Sequence, residues 1–174
     1  METLETFINT IINEDAVTAL AKFPPNSIDL TATSPPYDEI REYNGYNFNC
    51  DAVVKQLFRV TKAGGVVVWI VGDSTTNGSE SGTSFRQALM FMENGFKLHD
   101  TMIYEKNTSS FPSKRTGTRY TQIFEYMFVF CKGKIATANL ICDKPNKWAG
   151  HTNWGKNTTR LRNGELQETS DIKP

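Results

Sequence analysis

The sequence predicts an α/β fold in which a doubly wound, mostly parallel sheet ends in an antiparallel hairpin. Strand-like and helix-like runs alternate over residues 7–105, a pattern typical of right-handed β-α-β crossovers. The continuous apolar run from Val66 to Val71 has the composition of a central parallel strand. No helix-like run separates the last two strands, residues 96–105 and 122–131, so these two are expected to pair antiparallel.

Residue composition and periodicity define each element in turn. The predicted strands are Phe7 to Ile12, a buried strand from Ser27 to Thr33, Val66 to Val71, Phe96 to Glu105 and Gln122 to Cys131. A first helix is predicted from Asp15 to Lys22, and a second is capped by Asn49 and ended by Gly64-Gly65. After a flexible polar loop at 72–82, a third helix is capped by Thr83 or Ser84 and ended by Gly95. Its predicted buried face consists of Phe85, Ala88, Leu89 and Met92.

Length and composition indicate a soluble globular chain. With 174 residues it can bury about 70% of its unfolded surface. No apolar run approaches the ~20 residues of a membrane span, and the polar first residues predict no secretory signal. The three cysteines show no Cys-x-x-Cys spacing, so neither structural zinc nor a disulfide framework is expected, and a reducing cytoplasm fits.

The formal net charge of zero conceals two oppositely charged parts. Residues 1–96 hold 6 Lys and Arg against 12 Asp and Glu, whereas residues 97–162 hold 12 against 4. Such asymmetry favours a polyanion as the partner of the second part, and a solvated basic loop is the alternative. The positive charge includes a loop with basic and aromatic residues suited to DNA contact: Lys106, Lys114, Arg115, Arg119 and Tyr120.

The most informative motif is Ser34-Pro35-Pro36-Tyr37, which directly follows the strand ending at Thr33. Two consecutive prolines have fixed φ and no N–H, and each forces the residue before it into extended geometry. The motif is therefore a stiff turn with unpaired carbonyls and a tyrosine at its tip. In an open α/β sheet, ligands bind at the carboxyl ends of the strands. Rigid acceptors beside an aromatic face suit a planar ring that bears an amine.

Ser34-Pro35-Pro36-Tyr37 resembles the catalytic motif of the DNA amino-methyltransferases, which methylate cytosine N4 or adenine N6 with S-adenosylmethionine. Residues 12–30, 63–70 and 124–130 also resemble this family, in family order, so that the likeness covers roughly residues 8–134. It points to the permuted subgroup in which the catalytic motif is N-terminal. Residues 1–135 then form the catalytic-motif part of a methyltransferase domain, and residues 136–174 form a basic, polar segment that begins a target-recognition region or linker.

The resemblance implies a partial Rossmann-like methyltransferase fold and S-adenosylmethionine as cofactor. It implies double-stranded DNA with a flipped target base as partner, with no membrane and no metal, in the cytoplasm of a bacterium or archaeon or in a phage, as in restriction-modification. Ser34, Pro35, Pro36 and Tyr37 correspond to the catalytic residues. Asp15, with Glu14 as its neighbour, corresponds to the adenosine site, although Asp15 also fits a helix N-cap. The family's adenine enzymes usually carry Asp at the position of Ser34, so serine favours cytosine N4.

One family feature does not occur in this sequence: the glycine-rich Phe-x-Gly-x-Gly loop that holds the methionine end of the cofactor. In the permuted subgroup that loop follows the recognition region. The chain is therefore expected to be the N-terminal part of such an enzyme, with self-association or a partner chain supplying the loop. Two alternatives stay open. One is an inactive DNA-binding remnant, and the other is a protein glutamine-amide methyltransferase, whose motif is Asn-Pro-Pro-Tyr.

We expect the basic loop to set the salt dependence of DNA binding. Replacing Lys114, Arg115 and Arg119 together with alanine should flatten the plot of log affinity against log salt by about 0.9 for each phosphate that the protein no longer neutralises. Fluorescence anisotropy with a labelled duplex measures this slope. Replacing Lys55 and Lys62, in the acidic part, is the control and should leave the slope unchanged; an unchanged slope in the triple variant would place the DNA elsewhere.

Overall fold

The computed structural model describes residues 4–36, 48–107, 120, 122–144 and 158–168. Its strands are β1 (Ile28–Thr33), β2 (Thr61–Val71), β3 (Thr75–Thr76), β4 (Ser79–Glu80), β5 (Lys97–Glu105), β6 (Phe124–Cys131), β7 (Thr158–Arg160) and β8 (Leu166–Glu168). Its helices are α1 (Ala16–Lys22), α2 (Cys50–Val60) and α3 (Thr83–Glu93), preceded by a 3-10 turn at Leu4–Phe7.

Four strands form the central sheet in the order β1-β2-β6-β5. β1 and β2 are parallel, with Ala32 beside Val68. β6 pairs antiparallel with β2 on one side and with β5 on the other. The predicted α/β class and the antiparallel final hairpin are confirmed, and within the described residues the sheet has one parallel and two antiparallel pairs.

The hydrophobic core lies on one face of this sheet, where α2 and α3 pack and α1 adds its partly buried residues. Strand alternation directs Val67, Trp69 and Val71 of β2 to this face, and all three are buried. The ring of Phe91 in α3 stacks on Phe130 at 4.2 Å and meets Trp69 edge-on at 5.0 Å. Burying side chains of this size contributes about 1.5–3 kcal/mol each.

The opposite face of the sheet is apolar and only half-buried. It includes Val66, Val68 and Ile70 of β2 and their β6 neighbours Met127 and Val129. Nearer the edges, Leu30 is 61% exposed and Met102 is 49% exposed. The three described helices all contribute to the core on the other face. The two faces of the sheet are therefore covered unequally within the described part of the chain.

Two of the predicted strands need correction. Residues 7–12 are not a strand, because Asn9 adopts φ +56°, which interrupts extended geometry, and the ring of Phe7 stacks on Phe23 at 4.3 Å. β1 is not a buried strand, since each of its residues is half-buried or exposed. The reason is that β1 has one described neighbour in the sheet.

Gly64-Gly65 does not end α2, as the sequence had suggested. The helix ends at Val60, and β2 begins at once and continues through both glycines. Gly64 has φ +83°, and its N–H donates to the carbonyl of Lys132 at 2.7 Å. A Cβ on Gly64 would lie 2.7 Å from the Cβ of Ala136, so only glycine fits there without rearrangement.

α3 is rotated relative to its predicted orientation. Its buried residues are Ser84, Gln87, Ala88 and Phe91, whereas Phe85, Leu89 and Met92 are 51%, 56% and 46% exposed. The physical reason is a buried hydrogen bond, in which the indole Nε1 of Trp69 donates to Oε1 of Gln87 at 2.8 Å. Satisfying the indole N–H required a polar partner in the core, and Gln87 provides it.

The remaining helix boundaries agree closely with the sequence. Asp15 and Asn49 cap α1 and α2 as expected, with side-chain oxygens that accept backbone N–H bonds. Gly95, at φ +98°, follows the end of α3. Neither Thr83 nor Ser84 caps α3, because Gly82 occupies the N-cap position. The loop at 72–82 contains the small β3–β4 hairpin, whose turn residues Asn77 and Gly78 both have positive φ.

The chain divides into two compact units, residues 1–138 and 139–174. The division falls three residues from the boundary predicted after residue 135. In the second unit the described structure is the antiparallel β7–β8 hairpin, and its assignment to a recognition region stays a prediction. No helix within the described residues has the length and hydropathy to cross a membrane.

Two basic side chains link neighbouring elements by donating hydrogen bonds to carbonyls at helix ends. Arg59 donates to the carbonyls of Leu20 and Phe23 at the end of α1, at 2.7 and 2.8 Å. Lys132 donates to the carbonyls of Phe58 and Thr61 at the end of α2, at 2.7 and 3.0 Å. Burial lowers the pKa of Lys132. The carbonyls at a helix end have no intrahelical partners, so these contacts satisfy them.

We predict that Lys132→Met lowers the free energy of unfolding by about 1–3 kcal/mol, because two carbonyls lose a charged donor while the side-chain length is kept. Urea denaturation followed by circular dichroism measures the change. Lys134→Met, at an exposed position two residues away, is the control and should stay within about 0.5 kcal/mol of the parent. Equal effects of the two substitutions would contradict a structural role for Lys132.

Candidate functional site

The carboxyl ends of β1 and β2 meet at one edge of the sheet, because the two strands are parallel and Thr33 lies beside Trp69. β6 runs antiparallel to β2 and therefore begins at the same edge, where β5 ends. This topology gathers the Ser34 motif, the Gly72 turn, the start of β6 and Lys106. Ligands of open α/β sheets bind at such an edge.

The proline motif leaves β1 directly into this edge. Pro35 is buried, Pro36 is half-buried and Ser34 is exposed. Neither proline has an N–H to donate, so both contribute only carbonyl acceptors to the turn. Beside it, the ring of Phe48, just before α2, stacks with Trp69 at 6.4 Å. Tyr37, the fourth residue of the motif, lies outside the described residues.

Asp73, at the end of β2, organises the start of α3. Its Oδ2 accepts the hydroxyl of Ser84 at 2.5 Å, and its Oδ1 accepts the Ser84 N–H at 3.0 Å and the Ser81 hydroxyl at 3.1 Å. Gly82 at the N-cap position has no side chain to do this. Asp73 thus caps α3 from a position eleven residues upstream of Ser84.

Glu125 is a buried carboxylate at the start of β6, with 8% of the residue exposed. It forms an ion pair with Lys106, whose backbone N–H donates to the carbonyl of Ile123 at 2.7 Å. A Cβ placed on Gly72 would lie 3.4 Å from Cγ of Glu125, so the carboxylate side chain borders the Gly72 turn. The signal for Glu125 in the sequence is a single charge within an aromatic strand.

The residues predicted for the cofactor lie at the start of α1. Oδ1 of Asp15 accepts the N–H groups of Val17 at 3.0 Å and Thr18 at 3.2 Å, so the helix-cap interpretation is confirmed. Glu14 forms an ion pair with Lys22 at 2.6 Å. These contacts engage one oxygen of Asp15 in the cap and leave its assignment to the cofactor a prediction.

Of the residues predicted to contact DNA, two are described. Lys106 lies at the sheet edge in the ion pair with Glu125, and Tyr120 is fully exposed. Lys114, Arg115 and Arg119 lie outside the described residues. The structure therefore brings Lys106 to the same edge as Ser34 and leaves the other predicted DNA contacts as predictions.

Two other features of the described residues bear on the chemistry. Gly64-Gly65, the only adjacent glycine pair in the sequence, lies near the amino end of β2, away from the edge that follows Thr33. Burial, reinforced by the neighbouring Asp51 carboxylate, raises the pKa of Cys50 to about 11, so this thiol stays protonated at neutral pH. Neither feature supplies a nucleophile or a cofactor cradle at the Ser34 edge.

Comparison with known proteins identifies the family. The model of a DNA methylase family whose members act on N6 or N4 amines matches residues 28–172. The chain belongs to this N6/N4 DNA methylase family. S-adenosylmethionine is the methyl donor of the family, which confirms the resemblance drawn from the Ser34 motif and the cofactor that it implied.

Two methyltransferases are similar in sequence to this chain, over different lengths. The orphan methyltransferase M.BamHII of Bacillus amyloliquefaciens is 60% identical over 139 residues, which cover 80% of this chain and 51% of that protein. The type II methyltransferase M.BglII of Bacillus subtilis is 35% identical over 71 residues, covering 37% of this chain and 20% of that protein. The chain thus spans about half or less of the length of these relatives.

Solved structures agree on the fold. TTHA0409 of Thermus thermophilus, assigned as a DNA modification methylase, superposes with a TM-score of 0.55 at 25% identity, covering 77% of this chain and 56% of that one. The same protein has been solved in complex with S-adenosyl-L-methionine. The cytosine-N4-specific PvuII DNA methyltransferase superposes with a TM-score of 0.56 at 24% identity, covering 70% and 48%, and supports the fold alone.

We predict that two substitutions separate the capping role of Asp15 from any role of its charge. Asp15→Ala should lower the free energy of unfolding by about 1 kcal/mol, because the Val17 and Thr18 N–H groups lose their acceptor. Asp15→Asn should cost less than half as much, since asparagine caps equally well. Urea denaturation measures both; equal losses would mean that the carboxylate charge, not the hydrogen bond, stabilises α1.

Proposed function

We propose that this chain is the target-amine-binding part of an S-adenosylmethionine-dependent DNA amino-methyltransferase, with cytosine N4 favoured over adenine N6. The observation that carries the proposal is the position of Ser34, Pro35 and Pro36 at the carboxyl end of β1, beside the parallel strand β2. Membership of the N6/N4 family supports it. A restriction-modification system is the setting that the name of the type II methyltransferase M.BglII suggests, whereas M.BamHII is named an orphan methyltransferase.

The chemistry requires orientation more than basicity. The lone pair of an exocyclic amine is delocalised into the base. The nitrogen therefore attacks poorly until acceptors form hydrogen bonds with its two N–H groups. In the proposed site, the Ser34 hydroxyl and the Pro35 carbonyl each accept a hydrogen bond from one N–H group of the amine. Both acceptors belong to a turn whose φ angles are fixed by proline, so they need little reorganisation when the base arrives.

The flipped base also needs a stacking surface. We assign this role to Tyr37, which follows Pro36 in the motif. Stacking on an aromatic ring contributes about 1–3 kcal/mol per base. Extruding a base from the duplex costs a few kcal/mol, so the tyrosine offsets a large part of that cost.

S-adenosylmethionine supplies the methyl group from its sulfonium. In this proposal Asp15, with Glu14 beside it, holds the adenosine end. The methionine end is held by a segment outside these 174 residues, either of the same polypeptide or of a partner chain. This part of the proposal is supported by the remote position of Gly64-Gly65, the half-exposed apolar sheet face and the greater length of the relatives.

Holding the methyl donor is energetically decisive, because alignment of reacting atoms at about 3–3.5 Å can supply about 7–11 kcal/mol of the barrier. We therefore expect no turnover from the isolated chain. Calorimetry with S-adenosylmethionine and a tritium-transfer assay on DNA test this together. Micromolar affinity combined with multiple turnovers by the monomer would contradict the need for a further segment.

A chimera provides the positive test. This chain replaces the equivalent part of the 60%-identical M.BamHII, whose remaining half is kept. We expect the chimera to transfer methyl groups to DNA, and Tyr37→Ala to reduce the rate by orders of magnitude. Thr76→Ala, at an exposed position in β3, is the control. Near-normal turnover by Tyr37→Ala would reject the assigned site.

Nucleoside mass spectrometry of DNA treated with the chimera identifies the methylated base. N4-methylcytosine is the expected product, from serine rather than aspartate at position 34. N6-methyladenine alone would reverse the base preference while leaving the reaction class intact. Specific DNA binding without methyl transfer by a well-folded chimera would favour the inactive DNA-binding alternative.

A further inference from the structure

At the Ser34 edge, Glu125 and Lys106 form an ion pair whose carboxylate is almost completely buried. The side chain of Glu125 is 10% exposed and that of Lys106 is 32% exposed, so part of the ammonium stays accessible. Replacing a buried pair by apolar groups is often neutral or stabilising, and such a pair is weak evidence for a stability role. Buried charges with a specific partner at the edge of a binding site are candidates for function.

The sheet register places this pair across from the proline motif. Val71 lies opposite Tyr126, so the next residue, Gly72, faces Glu125, and Tyr104 lies on the far side. β1 adjoins β2 on the other side, so β2 alone separates the Ser34 turn from Glu125. Two strand spacings correspond to about 9–10 Å. That backbone separation leaves room for side chains from both sides to contact one planar ring placed between them.

Gly72 keeps the space over the end of β2 free of a side chain. Glu125 already borders it, since a Cβ on Gly72 would touch Cγ at 3.4 Å. Gly72 thus adds no side chain between the acceptors of the Ser34 turn on one side and a carboxylate-bound ammonium on the other. An ammonium group only donates hydrogen bonds. It therefore complements a base whose ring nitrogen accepts.

We propose that Lys106 is a specificity-determining residue that donates to a ring acceptor of the amine-bearing base, and that Glu125 is the positioning residue that aims it. This inference rests on the proposed function. Cytosine N3 and adenine N1 are acceptors beside the exocyclic amine, whereas N3 of thymine carries a hydrogen that faces the ammonium unfavourably. The Lys106–Glu125 pair thus selects bases that carry an exocyclic amine beside an unprotonated ring nitrogen.

Pairing with Glu125 also fits a base contact better than a phosphate contact. A lysine already neutralised by a buried carboxylate adds little net charge, so it should contribute little to counterion release. The Lys106 ammonium can still donate a directional hydrogen bond to a base, because only part of the ammonium faces Oε1 of Glu125. The two roles therefore differ in a measurable way: a base contact changes selectivity, and a phosphate contact changes the salt slope.

The test uses the 174-residue chain and three single-stranded DNA probes of ten nucleotides, composed only of dC, dA or dT. Fluorescence anisotropy gives the affinity for each probe over a range of salt. We expect the parent protein to bind the dC and dA probes more tightly than the dT probe. Lys106→Met should reduce this preference about tenfold, with the dT affinity and the salt slope unchanged.

Glu125→Gln distinguishes positioning from simple packing. The preference for dC over dT should fall toward the level of Lys106→Met, because the ammonium is no longer aimed. The salt slope should become steeper by about 0.7, since the released charge can now neutralise one phosphate of a single strand. Lys106→Arg, which keeps a cationic donor, should retain most of the preference. A merely structural pair would produce neither the loss of preference nor the steeper slope.

Lys97→Met is the matched control, because it removes one exposed lysine from the opposite end of β5. It should leave the preference unchanged. Should Lys106→Met fail to fold by circular dichroism, the double variant Lys106→Met with Glu125→Gln leaves no uncompensated charge and gives the same readout.

Several results would overturn the inference. One is that the parent protein binds the three probes equally, and another is that Lys106→Met leaves the preference for dC and dA unchanged. A third is that Lys106→Met lowers the affinity for all three probes equally and flattens the salt slope. A fourth is that Lys97→Met reduces the preference as much as Lys106→Met does. Binding by the parent with unaffected variants would reject the role of the pair alone. No binding of any probe at low salt would reject this inference together with the proposed function.

Discussion

The pairing of β2 on both sides is the constraint on which the rest of the structure depends. Its parallel partner β1 and its antiparallel partner β6 satisfy its backbone hydrogen bonds, which allows Val67, Trp69 and Val71 to be buried under α2 and α3. Because β1 is parallel to β2, both strands end at the same edge. Because β6 runs antiparallel to β2, the first residues of β6, including the buried Glu125, lie at the same edge. One set of strand directions thus determines both the core and the grouping of polar residues.

Within the described residues the core lies on one face of the sheet, so that the two faces have different surfaces. Aromatic rings of α3, β2 and β6 fill the helix-covered face, with Phe91 stacked on Phe130 and the Trp69 indole hydrogen-bonded to Gln87. The other face consists of aliphatic side chains that are only half-buried in the described part. Exposed apolar area of this kind marks contact sites. It lies on the same sheet whose edge carries the Ser34 turn, so a segment that covers this face can also reach that edge.

Local sequence signals predicted the elements that depend on local chemistry. The sequence predicts Asn49 as a helix cap and gives a cap as one of two interpretations of Asp15, because such side chains satisfy N–H groups two or three residues away. The Ser34 turn was identified because consecutive prolines restrict the backbone regardless of context. Predictions failed where distant residues decide. Gly64-Gly65 suggested a helix stop, but the backbone of Lys132 and the Cβ of Ala136 require those glycines inside β2. The orientation of α3 depended on Gln87 meeting Trp69, which periodicity does not encode.

The sequence by itself determined the α/β class, the starts of α1 and α2, the antiparallel hairpin and the methylase family, because these follow from composition, capping and a rigid motif within short stretches. The tertiary structure decided which charges become partners. Glu125 stood alone in an aromatic strand, and Lys106 stood at the head of a basic loop, nineteen residues earlier. They meet because β5 and β6 pair in a register that aligns Tyr104 with Glu125 and leaves Lys106 just beyond the strand end. Register depends on side-chain packing across the whole sheet, and no local pattern specifies it.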